Sequence, residues 1–333
     1  MRYLTAGESH GKALVGILEG MPSHIKISLG KINEQLARRQ QGYGRGGRMA
    51  IERDTAEILS GVRGGVTLGS PIALIINNRD YANWQEVMCP VSGDLSKKQL
   101  TAVRPGHADL SGCIKYGFDD ARNVLERASA RETAMRVAIG AICRQYLEQK
   151  GIEVTSRIIS IGGVSGDTKI KTAIDKAKAD GDTLGGICEV IIKGVPVGLG
   201  SHVHYDRKLD ALMAMHLMSI QSVKAVEVGL GVESARLRGS QVHDEIVLGS
   251  SEYKRKSNNA GGIEGGMTNG EDIVVRVSFK PIPTLMKGLD TVDIKTGKAV
   301  KAAPERSDVC AVEAGAVVVE NVAAFVIADA LES

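Results

Sequence analysis

The glycine-rich segment 61–72 recurs 201 positions further along the chain, and this repeat constrains the fold more than any other sequence feature. Six identities share that offset, which is hard to attribute to chance even in a chain with 40 glycines. They pair Gly61, Gly64, Gly65, Thr67, Gly69 and Ile72 with Gly262, Gly265, Gly266, Thr268, Gly270 and Ile273. A second echo, at an offset of 174, pairs GILEGMP at 16–22 with VIIKGVP at 190–196. The repeat predicts two related halves, about 1–150 and 186–333, packed as a single domain over 1–333.

The predicted elements follow a similar order in the two halves. Strands are predicted at 2–6, 14–19 and 72–76, and helices at 31–41, 130–149, about 207–218 and about 308–331. The helix over 130–149 carries an S-x-x-E capping box, with Ser129 as N-cap and Glu132 at the third helical position. Because a repeated βαβ order is absent, the pattern predicts an α+β fold of antiparallel sheets with helices packed between them. The repeat would also bring the starts of the two long helices to one cleft.

Composition and charge exclude several classes of protein. The net charge of +3 gives no indication of nucleic-acid binding. Five cysteines without C-x-x-C spacing predict reduced thiols and a cytoplasmic location. No stretch approaches 18 apolar residues and the first twenty include charged side chains, so we expect neither a membrane span nor a signal peptide. The histidines show no metal-ligand spacing, so no metal site is predicted.

The start of the helix over 130–149 is the first candidate site. Arg127 and Arg131 flank Ser129 there, where free N–H groups and the helix dipole attract anions. Arg131 falls on the core-facing stripe of the helix, so it needs an anionic partner. Two interpretations remain open: a ligand site, or a structural ion pair with an aspartate such as Asp119 or Asp120.

Two further segments are rich in cations or rigid turns. Residues 38–48 carry four arginines on a glycine-rich backbone, namely Arg38, Arg39, Arg45 and Arg48. This segment fits a phosphorylated or carboxylated small molecule, a solvated loop or an RGG-like nucleic-acid site. RGG tracts are usually long and repeated, so a single short patch favours the small anion. The turn Lys280-Pro281-Ile282-Pro283-Thr284 fits either a phosphate site or an ordinary turn.

These motifs, in this order, resemble the chorismate synthase family over nearly the whole chain. The motifs are GESHG at 7–11, the block at 42–76, RPGHADLSGCIKYG, RASARETAMRVA, GGIEGGMTNG, KPIPT and the turn that contains Arg306. The resemblance implies a homotetramer with a β-α-β sandwich fold in each subunit. It also implies a lyase that converts 5-enolpyruvylshikimate 3-phosphate to chorismate and phosphate, using reduced FMN without net redox change.

The resemblance implies roles for individual residues. Catalytic roles are implied for His10, His107 and Asp308. Substrate binding is implied for Ser9, Arg39, Arg45, Arg48, Arg104, Ser129, Arg131 and Arg306. FMN binding is implied for His107, Arg127, Ala128, Ser129, Gln221, Ser222, Gly265, Lys280, Pro281, Ile282, Pro283, Thr284 and Arg306, where Gln221-Ser222 replaces a frequent Asn-Ala. Arg39 and Arg45 also match positions linked to NADPH in the family.

Partners follow from the same resemblance. A chain of 333 residues leaves no room for an added flavin-reductase domain, so we expect a separate reductase. We expect neither nucleic acid nor a membrane as a partner. Two other classes stay open: an ordinary flavin oxidoreductase that transfers hydride to its substrate, and an RNA-binding module that uses the arginines of 38–48.

Overall fold

The first part of the chain forms a four-stranded antiparallel sheet. The computed structural model describes residues 1–46, 53–249, 253–302 and 308–333. The strands are β1 (Arg2–Ala6), β2 (Ala13–Glu19), β3 (Ala56–Ile58) and β6 (Ile72–Asn77), in the order β1-β2-β6-β3. Alternation buries one face of this sheet, including Leu14, Leu18, Ile72, Leu74 and Ile76. The predicted strands at 2–6, 14–19 and 72–76 are therefore present.

A second four-stranded antiparallel sheet comes from the later part of the chain. Its strands are β7 (Glu153–Ile161), β8 (Gly186–Lys193), β9 (Val223–Val228) and β14 (Ile273–Phe279), in the order β7-β8-β14-β9. Short hairpins complete the strands: β4 (Val62–Arg63) with β5 (Val66–Thr67), β10 (Ile246–Leu248) with β11 (Tyr253–Arg255), β12 (Ile263–Glu264) with β13 (Met267–Thr268), and β15 (Asp290–Val292) with β16 (Ala299–Lys301). With the helices described next, these sheets make the fold α+β.

Eight α-helices occur in the described ranges. They are α1 (Leu29–Gln40), α2 (Asp109–Tyr116), α3 (Arg122–Ala128), α4 (Thr133–Gln149), α5 (Asp167–Ala179), α6 (Leu209–Met218), α7 (Gly239–Val242) and α8 (Val312–Leu331). The helix α4 packs on β2 and β6, α8 packs on β7, β8 and β14, and α4 and α8 pack on each other. They come close together at Gly140, where an added Cβ would lie 2.2 Å from the carbonyl oxygen of Asn321.

The repeated sequence segments make repeated hydrogen bonds. The hydroxyl of Thr67 donates to Pro22 O at 2.6 Å and accepts from Ile25 N at 2.9 Å. The hydroxyl of Thr268 donates to Pro196 O at 2.6 Å and accepts from Leu199 N at 2.9 Å. These partners are themselves 174 positions apart, which is the offset of the second echo. The two echoes therefore describe one structural unit that occurs twice.

A glycine is required at equivalent places in the two units. Gly61 has φ +80°, and an added Cβ would lie 2.7 Å from Pro71 O. Gly262 has φ +77°, and an added Cβ would lie 2.6 Å from Asp272 O. Both positions exclude a side chain through positive φ and through backbone contact, which explains why the glycines recur at one offset.

Two sequence expectations were wrong. The capping box is absent: the hydroxyl of Ser129 accepts from Arg131 N at 3.3 Å, residues 130–132 form a 3₁₀ turn, and the α-helix begins at Thr133. The carboxylate of Glu132 instead accepts from Thr5 at 2.6 Å and from Arg136 at 3.1 Å, and a charged arginine is a stronger partner than a backbone N–H.

The second error concerns apolar length. The helix α8 has a mean hydropathy of 1.8 in its most apolar window and is long enough to cross a membrane by length and composition alone. Most of that window is buried inside the fold, where α8 contacts α4 and the second sheet. The apolar character of α8 therefore fits a core helix, because α8 packs against both α4 and the second sheet.

Candidate active site

One cavity of about 420 Å³ gathers most of the predicted site residues. Both long helices open onto it, through Thr133 at the start of α4 and Val312 at the start of α8. The predicted residues that line it are Ser9, His10, Arg39, Arg45, Arg104, His107, Ala128, Ser129, Arg131, Gln221, Ser222, Lys280, Ile282, Pro283, Thr284 and Asp308. Residues separated by about 300 positions in the chain thus share one site, as the repeat predicts for the two helix starts.

Five predicted residues are not among the lining residues. Arg48 and Arg306 lie outside the described residues. Arg127 donates to Thr5 O at 2.8 Å and Gly7 O at 3.2 Å instead, which turns its guanidinium along the edge strand β1. Gly265 lies in the turn between β12 and β13, and Pro281 is the one member of the 280–284 turn that the cavity wall omits.

His107 and Arg104 share a buried carboxylate. Asp109, which is fully buried, contacts Nδ1 of His107 and accepts from Nε of Arg104 at 2.9 Å. Arg104 Nη1 also donates to the Thr284 hydroxyl at 3.0 Å, so this group ties the 104–109 loop to the 280–284 turn. Burial alone would raise the pKa of Asp109, but the bonds from His107 and Arg104 outweigh it and hold that pKa well below its usual value.

His10 is held by a second carboxylate and by an aromatic ring. Its Nδ1 lies 2.9 Å from Glu126 Oε1, and its backbone N–H donates to Glu126 Oε2 at 2.8 Å. The imidazole stacks on Trp84 with 3.8 Å between ring centroids and 20° between ring planes. The His10 loop therefore has a fixed backbone and a fixed ring at the cavity wall.

Arg39 and Arg131 flank one buried aspartate. Arg131 Nη1 donates to both oxygens of Asp54 at 2.6 Å, and its Nε and Nη2 donate to Asn78 Oδ1 at 3.0 and 2.8 Å. Arg39 Nη1 lies 3.6 Å from Asp54 Oδ2, and Nε donates to the Thr133 hydroxyl at 3.0 Å. The partner of Arg131 is thus Asp54, and neither Asp119 nor Asp120.

Burial strongly affects the charge of Arg39. Desolvation lowers the pKa of Arg39 to about 10, and the charges of Arg131 and Arg45 add to this effect against the opposite effect of Asp54. Its buried Nη1 has no hydrogen-bond partner within the described part of the chain. A buried cationic donor without an acceptor costs free energy, so this edge of the cavity favours an anion.

Arg45 and Asp308, which both line the cavity, form an ion pair. The distance from Arg45 Nη1 to Asp308 Oδ2 is 2.7 Å, and Gly46 N–H donates to Asp308 Oδ1 at 2.6 Å. Arg38, in contrast, turns away from the cavity and binds Glu320 at 2.7 Å. The described arginines of 38–48 therefore point inward to carboxylates, which is a poor arrangement for an RNA-binding surface.

The cavity wall also carries a set of apolar side chains. The set consists of Leu125, Leu184, Ile220, Phe279, Ile282, Pro283, Val312 and Val318. At its edge Ser222 has φ +69°, a strained conformation for a residue with a side chain, and the buried Oε1 of Gln221 accepts no hydrogen bond from any described residue. Such an apolar face with an unused polar atom fits a flat heteroaromatic group that carries a donor.

Sequence reasoning missed Asp54, Asn78, Asp109, Glu126 and Trp84. Asp109 lies two residues after His107, so the H-x-D spacing could have indicated the contact that the two side chains make in the fold. Asp54, Asn78, Trp84 and Glu126 lie 53 to 116 positions from Arg131 or His10, and no local pattern marks them.

Comparisons with known proteins identify the family of this chain. The family model described as chorismate synthase matches residues 1–331. A chorismate synthase of Caldanaerobacter subterraneus subsp. tengcongensis is 58% identical over 99% of this chain and 92% of its own length. One of Caldicellulosiruptor bescii is 54% identical over 99% and 94%. A crystal structure of chorismate synthase aligns with a TM-score of 0.79 and 44% identity over 99% of this chain and 91% of that chain. The chain belongs to the chorismate synthase family.

Proposed function

We propose that the cavity binds 5-enolpyruvylshikimate 3-phosphate beside reduced FMN. Membership of the family makes the chain a carbon–oxygen lyase that eliminates phosphate from this substrate to give chorismate. The observation that supports the ligand positions is that the cavity wall carries both arginines and apolar side chains, which we call its cationic side and its apolar side. The ring of the substrate and the flavin ring would then lie face to face between the two sides.

The cationic side suits the three anionic groups of the substrate. A phosphate and two carboxylates require several donors, and the guanidinium group matches both kinds of anion. Arg39, Arg45, Arg104 and Arg131 line this side together with the hydroxyls of Ser9 and Ser129. Arg48 and Arg306 are proposed for the same task from the family alone.

The apolar side suits the flavin ring. The unused Gln221 Oε1 can accept from a flavin N–H, and Ala128, Ser129, Ser222, Ile282 and Pro283 offer small or apolar contacts. Lys280 and Thr284 would hold the flavin phosphate; burial lowers the pKa of Lys280, and an anion nearby would offset this. Arg127, Gly265 and Pro281 are proposed as further FMN contacts from the family. Bound reduced FMN supplies electron density to the substrate and recovers it, so the reaction has no net redox change.

The two histidines and Asp308 handle protons. His10 and His107 line the cavity, and an imidazole ring can act as an acid or as a base, so either ring can give or take a proton there. Asp308 would serve as the base that receives the proton lost from the substrate ring. Arg45 and the Gly46 N–H contact this carboxylate and orient it for that task.

The wider assembly is proposed from the same family. We propose a β-α-β sandwich of two related halves in one domain, a cytoplasmic location and reduction of FMN by a separate reductase. NADPH remains a proposed electron source, with Arg39 and Arg45 as its contacts.

Contacts between the arginines and the anionic groups of the substrate should determine substrate affinity. Arg45→Ala and Arg131→Ala should each weaken binding by about 10- to 100-fold, since one charge-assisted hydrogen bond is worth about 1.5–3 kcal/mol. Arg48→Ala should act in the same way. Calorimetric titration measures the effect, with the exposed Arg236→Ala as control. Wild-type affinity in all three variants would remove the arginines from the substrate site.

The chain should assemble as a homotetramer. Leu4 and Ile17 are exposed on the outer face of the first sheet, and Leu59 and Leu68 are exposed beside it. Such a patch favours contact with another copy. Light scattering at micromolar concentration should give four times the chain mass of 35.3 kDa. A monomer under these conditions would contradict the proposal.

An anaerobic assay tests the flavin proposal directly. With chemically reduced FMN, one flavin should support many turnovers of phosphate release, and oxidised or omitted FMN should support none. Phosphate, chorismate and remaining reductant are measured in the same sample. Consumption of reductant one-for-one with product would favour an ordinary flavin oxidoreductase and would reject the catalytic role of the flavin.

A further inference from the structure

The buried carboxylate of Glu126 contacts the cavity only through His10. Glu126 lies on α3, its side chain is 2% exposed, and it is not among the described residues that line the cavity. Its oxygens accept from the His10 backbone N–H, from His10 Nδ1 and from Arg122 Nη1 at 2.8, 2.9 and 3.1 Å. We therefore expect any effect of this carboxylate on the reaction to pass through His10.

We propose that Glu126 is a positioning residue that holds His10 with Nδ1–H on the carboxylate and Nε2 towards the cavity, and that stabilises the protonated ring. The proposal rests on the proposed role of His10 in proton handling. An ionised carboxylate only accepts hydrogen bonds, so Nδ1 must carry a hydrogen in the neutral ring as well as in the cation. The proton that His10 exchanges with a ligand is then always the one on Nε2.

The two cations near His10 oppose a protonated ring, but neither is as close to the imidazole as the Glu126 carboxylate. Lys98 Nζ lies 3.3 Å from the centroid of the Trp84 ring on which His10 stacks, and the Arg122 guanidinium lies 5.0 Å from that centroid. Asp80 accepts from the Trp84 indole at 3.1 Å and is one ring further away. Direct contact at 2.9 Å gives the carboxylate the largest effect on the imidazole.

The charge state of Glu126 agrees with this assignment. Burial alone would raise the pKa of the Glu126 carboxyl, but the bonds from His10 and the charge of Arg122 outweigh burial and lower that pKa. A group that stays ionised in a buried place has a cationic partner. The same construction recurs at His107, where Nδ1 contacts the buried Asp109 and an arginine binds the same carboxylate.

Glu126→Gln isolates the charge, because glutamine keeps the shape and an acceptor oxygen for Nδ1. The anaerobic phosphate-release assay with reduced FMN is run over pH 5.5–9 for wild type and variant. If the protonated ring is the active form, the alkaline limb of the pH–rate profile should move to lower pH by about one unit in Glu126→Gln. In Glu126→Asp, which keeps the charge, the limb should lie close to its wild-type pH. Glu320→Gln is the matched control, because Glu320 is buried and bound to Arg38 and Arg144 but does not contact His10. An alkaline limb that stays at the wild-type pH in Glu126→Gln would overturn the proposal.

A second measurement needs no substitution in the carboxylate. Nitrogen-15 NMR of the wild-type chain labelled at histidine should show the His10 ring as the Nδ1–H tautomer at alkaline pH, with the signal assigned by its loss in His10→Ala. The Nε2–H tautomer would overturn the proposal even if Glu126→Gln did not fold. Failure of the proposed function looks different, because wild type would then release no phosphate with reduced FMN at any pH.

Discussion

Alanine in place of His10 or His107 is expected to reduce turnover by about 10²- to 10⁴-fold while substrate affinity stays close to wild type. Both rings line the cavity, and in the proposed function the arginines hold the anionic groups of the substrate. Loss of a proton-handling group lowers the rate of the chemical step, whereas ground-state binding depends on charge pairing. Phosphate release with saturating reduced FMN measures turnover, and calorimetry measures affinity.

His204→Ala is the control for this pair. His204 is exposed and lies outside the set of residues that line the cavity, so both quantities should remain unchanged. Turnover near the wild-type value in both His10→Ala and His107→Ala would remove these residues from the mechanism. A large loss of affinity with little change in turnover would instead place them in substrate binding.

Removal of the Asp54 carboxylate is expected to destabilise the fold by about 3–5 kcal/mol, since it leaves two buried guanidinium groups side by side. Asp54 lies between Arg131, at 2.6 Å, and Arg39, at 3.6 Å. Urea unfolding of Asp54→Ala measures the loss. Phosphate should raise the melting temperature of the variant more than that of wild type, because an anion in the cavity can replace part of the missing charge.

Asp290→Ala is the matched control for a lost ion pair. The contact between Asp290 and Lys301 is at the surface, where solvent screens the charges, so the free energy of unfolding should change little. If Asp54→Ala were as stable as Asp290→Ala, the two buried arginines would have another source of compensation. In that case Asp54 would not be the group that fixes Arg39 and Arg131.

The repeat and the arginines were readable in the sequence because they depend on local rules. The glycines at 61 and 262 are required by backbone geometry, so the echo predicted matching turns, and those turns make matching hydrogen bonds. The inward aim of Arg131 was readable from helical periodicity. Its partner was not, because Asp54 precedes it by 77 positions and no periodic pattern links the two.

The errors came from competition between partners. The S-x-x-E pattern at 129–132 predicted a capping box, but Glu132 binds Thr5 and Arg136 in the folded chain. The contacts of Glu126 with His10 and of Asp109 with His107 likewise follow from the folded structure. Residue types indicate which chemistry is available, and the fold decides which acceptor each donor reaches.

The contact at Gly140 links helix packing to the shape of the cavity. The cavity wall includes Thr133 at the start of α4 and Val312 and Val318 on α8. These two helices come close where Gly140 meets the backbone of Asn321, with a hydrogen atom in place of a side chain. A larger residue at position 140 would have to push α4 and α8 apart, because its Cβ would lie 2.2 Å from a backbone oxygen. The two helix starts in the cavity wall would then move as well, so the geometry of the cavity depends on a residue that does not line it.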